Sequence, residues 1–144
     1  MEKLLNNKIQ ELVQKVTNDT RWNIQSETQF QIFGLTLSGF AFGVVRNICF
    51  LDAEDIKNSI LKELTAIGAG EKYVEGLIDT AFNTFENETK STEANIVSIG
   101  YSHFSSNDLT ELKNDIFSNT DTVQQQKNAL KEKPTRKWWK FGRQ

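Results

Sequence analysis

Apolar residues recur at helical spacing through most of the chain. Leu4, Leu5, Ile9, Leu12, Val13 and Val16 share one stripe, which Asn18-Asp19-Thr20 interrupts. A second, polar-rich helix is expected from residue 19 or 20 toward 33, with Trp22, Ile24 and Phe30 as its apolar positions. Residues 30–51 are apolar on nearly every side, which suits a helix at the centre of a bundle or one in a membrane. Gly39 and Gly43 lie four apart within it, as do Gly34 and Ser38. Each pair shares a helical face onto which another backbone can pack closely. The uncharged run before Arg46 falls short of the ~18–20 apolar residues that span a bilayer. Thr36, Ser38 and Arg46 itself weaken the membrane reading further, so a central soluble helix is preferred to a membrane element.

Asp52 is placed to cap the next helix, and Asp55 to favour its N-terminus. Ile56, Ile60, Leu61 and Leu64 form that helix's stripe, and Gly68-Ala69-Gly70 ends it. Tyr73, Val74, Leu77, Ile78, Ala81, Phe82 and Phe85 give the cleanest helical pattern. The two stripes, joined by a short glycine turn, predict an antiparallel pair. After a polar break at 87–92, residues 95–104 fit two patterns. Val97, Ile99 and Tyr101 alternate like a strand, whereas Ile96, Val97, Gly100 and Phe104 fit a helix. A lone strand would have nothing to pair with, so the helix is preferred.

Ser105-Ser106-Asn107 marks a break, and Leu109, Leu112, Ile116 and Phe117 mark a short amphipathic helix. Thr120 or Asp121 can cap a last helix toward residue 133. Only Val123, Ala129 and Leu130 are apolar on it, so it should project or fray, and Pro134 should end it. The predicted fold is all-α: a compact bundle of about six or seven helices around a central apolar helix, with residues 1–133 as one domain and 134–144 as a basic, aromatic tail.

Charge divides the chain. Residues 1–126 carry ten Lys/Arg and eighteen Asp/Glu, a balance of −8, while residues 127–144 carry seven Lys/Arg and one acid, a balance of +6. An acidic body with a basic end suggests docking. The candidate binding residues are Arg136, Lys137, Trp138, Trp139, Lys140 and Phe141. These aromatics are costly to leave in water. They can fold back on the acidic body, dock on a protein, sit at the headgroup level of an anionic membrane or stack on nucleic acid. Nucleic acid is the least favoured, because the acidic body repels phosphates.

Candidate chemistry is sparse. His103 is the only histidine, no second histidine or cysteine cluster is present to bind zinc, and no serine sits in a G-x-S-x-G elbow. His103 therefore reads as a capping or packing residue. Gly68-Ala69-Gly70-Glu71-Lys72 lacks the spacing and the ending of a phosphate loop. Asp52, Glu54 and Asp55 lack the alternating ligands of a calcium loop. Cys49, the only cysteine, lies in an apolar run and reads as a buried small hydrophobe. No catalytic residue, metal or cofactor is expected.

The first residues lack the apolar run of a signal peptide, so a cytoplasmic location is expected, peripheral to the membrane if the tail binds lipid. The function this suggests is non-catalytic: a bacterial-type immunity protein, inhibitor or chaperone whose acidic body covers or escorts a protein partner. The alternative is a membrane-peripheral protein anchored by its tail and, in part, by residues 32–51.

Overall fold

A computed structural model describes residues 2–87 and 91–138, with side chains as far as Leu130. Six α-helices and one π turn follow in order: α1 (Glu2–Thr17), α2 (Glu27–Val44), the π turn (Val45–Cys49), α3 (Ala53–Ala66), α4 (Glu71–Glu86), α5 (Thr92–Ser102) and α6 (Thr110–Trp138). No strand occurs among the described residues, and 95–102 are helical, as preferred, with His103 and Phe104 in the turn that follows.

α2 is the axis of the bundle, and all five other α-helices pack on it. Sixteen of its residues, Thr28–Phe30 and Ile32–Val44, are buried. Phe33, Phe40, Leu35 and Leu37 are essentially inaccessible, as are Leu5, Ile9 and Leu12 of α1 and Leu112 and Ile116 of α6. Each such side chain contributes about 1.5–3 kcal/mol on burial. The ion pairs Lys57–Asp79 (3.3 Å) and Lys15–Asp108 (3.6 Å) lie at the surface, where a pair contributes about 0–1 kcal/mol. Apolar burial therefore holds the fold. By length and composition Glu27–Cys49 could cross a membrane, yet 83% of its apolar window is buried inside the bundle.

The small residues of α2 act as its sequence spacing implies. A Cβ on Gly39 would overlap the Val97 carbonyl of α5, and one on Gly43 would lie 2.7 Å from Phe104 Cβ and 2.8 Å from Tyr101 O. In return, Gly100 of α5 sits against the Thr36 carbonyl. Two backbones touch at these points, and α5 is the most extensive neighbour of α2. Gly34 makes room for Leu77 of α4.

Asp52 caps α3 by accepting from Asp55 N at 2.9 Å. Gly68 turns the chain with φ 107°, a conformation that favours glycine. Lys57 lies nine residues before the end of α3 and Asp79 eight after the start of α4, so their ion pair fixes the two helices as antiparallel.

Three expectations fail. The helix expected from residue 19 or 20 toward 33 is a loop until Glu27. Local polar groups outcompete it. Ser26 caps α2 by accepting from Gln29 N at 3.2 Å. The Gln29 side chain accepts from Asn23 N at 2.6 Å and donates to Arg21 O at 3.0 Å.

The two helices expected over 109–133 are one continuous α6. Thr120 is buried and its hydroxyl donates to Ile116 O at 2.8 Å, so it satisfies itself within the helix and does not cap a new one. Nor does Pro134 end α6, which reaches Trp138. Proline removes the bond to the Leu130 carbonyl and its ring crowds that carbonyl, a cost of about 3 kcal/mol inside a helix; Leu130 is 64% exposed, so water can bond the freed carbonyl. Residues 125–130 are all exposed, but this part of α6 does not project free of the body: Lys127 Nζ donates to Thr28 Oγ1 at 2.9 Å and ties it to the start of α2.

The loop at 18–26 is clamped to α6 through Asp19. Its Oδ1 accepts from Arg21 N and Nε, both at 2.9 Å, and its Oδ2 accepts from Arg21 Nη2 at 2.9 Å and Lys113 Nζ at 3.0 Å. Arg21 also donates to Asn114 Oδ1 and lies over the Phe117 ring at 4.4 Å. The Arg21 side chain and backbone, with Lys113, hold the Asp19 carboxyl well below the usual carboxylate range.

A depressed folded pKa stabilises fully above the ordinary value of about 4 and loses that contribution as pH falls through the folded value. Asp19→Asn should therefore lower the melting temperature at pH 7, with the gap to the parent narrowing as pH drops below about 4. A gap that is constant from pH 7 to pH 2 would show that the charge itself contributes nothing.

Candidate functional site

The end of α2 departs from regular geometry. It widens into the π turn, a feature often found at functional sites. Asn47 holds the turn by donating to Gly43 O at 2.8 Å and to Tyr101 OH at 3.2 Å. Phe50 N donates to Val45 O at 2.7 Å and closes it. To make that bond Phe50 adopts φ 55°, ψ 40°, the left-handed region, and it is the only non-glycine residue with positive φ among those described. Its side chain is 79% exposed, the most exposed large apolar group among the described residues. Glycine is the usual occupant of such a cap, so a phenylalanine here carries strain and bare apolar surface together.

Phe50 stands at the mouth of an apolar pocket of about 520 Å3. Phe42 comes from the end of α2, Val45 from the π turn, Ile56 from α3, and Phe82 and Phe85 from α4, while Arg46 and Glu86 are its ionisable lining. The walls are an aromatic cluster. Phe42 meets Phe82 edge-on at 4.5 Å and Phe85 at 5.1 Å, and Phe85 stacks on Tyr101 at 5.4 Å. Arg46 lies over the Phe85 ring at 5.6 Å. The surrounding segment, residues 52–86, holds eight acids and three lysines, a balance of −5. Like charge and burial act together there, and the Asp55 carboxyl is pushed up by desolvation and then by Asp52. The arrangement offers an apolar socket and a protruding aromatic, with one basic and one acidic group in the lining.

The candidates read from the sequence lie elsewhere. The backbone of Arg136, Lys137 and Trp138 belongs to α6; their side chains, and all of Trp139, Lys140 and Phe141, fall outside the described residues. His103 occupies the C-cap of α5, with its backbone N–H bonded to Gly100 O at 3.2 Å. Cys49 is buried, and that burial pushes its thiol up. No sequence signal singles out Phe50, because an exposed left-handed phenylalanine looks like any other member of the apolar run at 48–51. Comparison with protein-family models, curated proteins and solved structures finds no match to this chain. The fold and pocket define an all-α bundle with an apolar socket at the end of its central helix.

Proposed function

We propose that this chain is a non-catalytic binding protein of the immunity, inhibitor or chaperone type. Its docking face is the Phe50 pocket with the acidic α3–α4 surface. The observation that carries this reading is Phe50 itself, held in a strained conformation with its ring in solvent beside a ready-made apolar socket. Hot spots at protein interfaces are such aromatic anchors. The partner is a basic protein that inserts one apolar side chain into the socket, because residues 52–86 attract positive charge and steer its approach.

A photoreactive phenylalanine analogue at position 50 should crosslink one basic protein in the cells of origin. Phe50→Asp should release that protein, and raising salt should slow its association far more than it speeds dissociation. Equal capture by the parent and by Phe50→Asp would overturn the docking face.

A second reading is a membrane-peripheral protein anchored by Arg136–Phe141, supported by the +6 balance of residues 127–144 and the aromatics among them. In that case the parent should co-sediment with anionic liposomes and a chain ending at residue 133 should not. The tail's cations would each add about 1 kcal/mol near the surface.

A further inference from the structure

We propose that His103, Glu111 and Asp115 form a binding site for a divalent transition-metal ion, with Zn2+ as the reference ion. One donor atom from each of the three lies within 4.8 Å of the others, and His103 Nε2 is 3.8 Å from Asp115 Oδ2. Donors bonded to zinc at about 2.0–2.2 Å stand roughly 3–4 Å apart, so small side-chain rotations close the set. The three ligands come from two elements. His103 caps α5, while Glu111 and Asp115 lie one turn apart at the start of α6 and share a face.

Two further features suit a metal. His103 Nδ1 is 3.1 Å from Ser106 Oγ. In the tautomer that donates Nδ1–H to that hydroxyl, the Nε2 lone pair is free for a metal on the carboxylate side, the outer-shell arrangement that orients metal-binding histidines. The nearby lysines are engaged elsewhere, Lys15 with Asp108 and Lys113 with Asp19. Among the described residues neither Glu111 nor Asp115 pairs with a lysine or arginine. One imidazole and two carboxylates make a donor set suited to Zn2+, Mn2+ or Ni2+ rather than to thiolate-seeking ions. Three protein ligands leave a fourth position for water. Bound there, the ion ties the end of α5 to the start of α6 across the 103–109 connection. This site is independent of the Phe50 docking face.

The test is titration of the full chain with ZnCl2, followed by calorimetry and by NMR of the imidazole. His103 is the only histidine, so its ring signals report the site without ambiguity. The expected result is one Zn2+ per chain, with the His103 ring signals shifting in step with binding and the melting temperature rising. His103→Ala and the double variant Glu111→Gln/Asp115→Asn should each weaken binding by at least about tenfold. Each variant's circular dichroism without metal should match the parent, which separates lost ligation from lost folding. Ring signals that stay unmoved at saturating Zn2+, or affinity unchanged in a folded His103→Ala, would overturn the proposal.

Discussion

Gly39→Ala should destabilise this protein by about 3 kcal/mol or more, whereas Gly76→Ala should stabilise it by about 0.5–1 kcal/mol. Both glycines lie inside helices, and alanine is the better helix former by about that second amount. At Gly76, on the exposed side of α4, an added Cβ meets nothing within 4 Å, so propensity alone decides the sign. At Gly39 the Cβ would overlap the Val97 carbonyl, a backbone group that cannot rotate away. Overpacking a core costs about 1–3 kcal/mol when side chains can adjust. Here α5 must move as a body, which places the loss at or above that range. Gly100→Ala should behave like Gly39→Ala, because it meets the Thr36 carbonyl from the other side of the same contact. Thermal or urea unfolding measures all three. Equal stabilisation at positions 39 and 76 would show that α2 and α5 are not in backbone contact.

Phe50→Gly should separate stability from function. A left-handed conformation costs an L-residue about 1–2 kcal/mol, and the extra freedom of glycine in the unfolded chain returns roughly 0.5–1 kcal/mol of that. The variant should therefore melt at the parent's temperature or a few degrees above it. Losing an aromatic anchor typically costs at least about 2 kcal/mol of binding, some 30-fold in Kd. A variant that is no less stable yet releases the partner captured through position 50 is the signature of strain retained for function. A fall of several degrees would instead mean that the ring packs on the body, and unchanged partner binding would move the docking surface elsewhere.

The central helix could be read directly from residues 30–51, since only burial on every side tolerates Phe33, Leu35, Leu37 and Phe40 together. The close α2–α5 approach was half legible. Gly39 and Gly43 announced a partner backbone, but which helix would supply it is a matter of topology. The sequence hides the loop at 18–26 because Trp22 and Phe30, eight apart, fall at helical spacing, while the groups that hold it open, Gln29 and Lys113, act across turns and across elements. The sequence points to a stop at Pro134 because proline removes a helical bond and crowds the preceding turn, yet α6 continues past it along an exposed stretch.

By itself the sequence determined what local chemistry determines: helical periodicity, the caps at Asp52 and Gly68, the buried character of α2, and the division of charge between body and tail. Tertiary structure alone decided which distant groups meet. It set Phe50 beside Phe82 and Phe85, thirty or more residues away, and gave it a conformation that no pattern of residue types encodes. It brought Glu111 and Asp115 to His103, where the sequence offered a single histidine with no second ligand. The physical reason is the same in both cases. Helix formation depends on neighbours within one turn, whereas a site depends on where whole helices come to rest, and that is fixed by the apolar packing summed over all six.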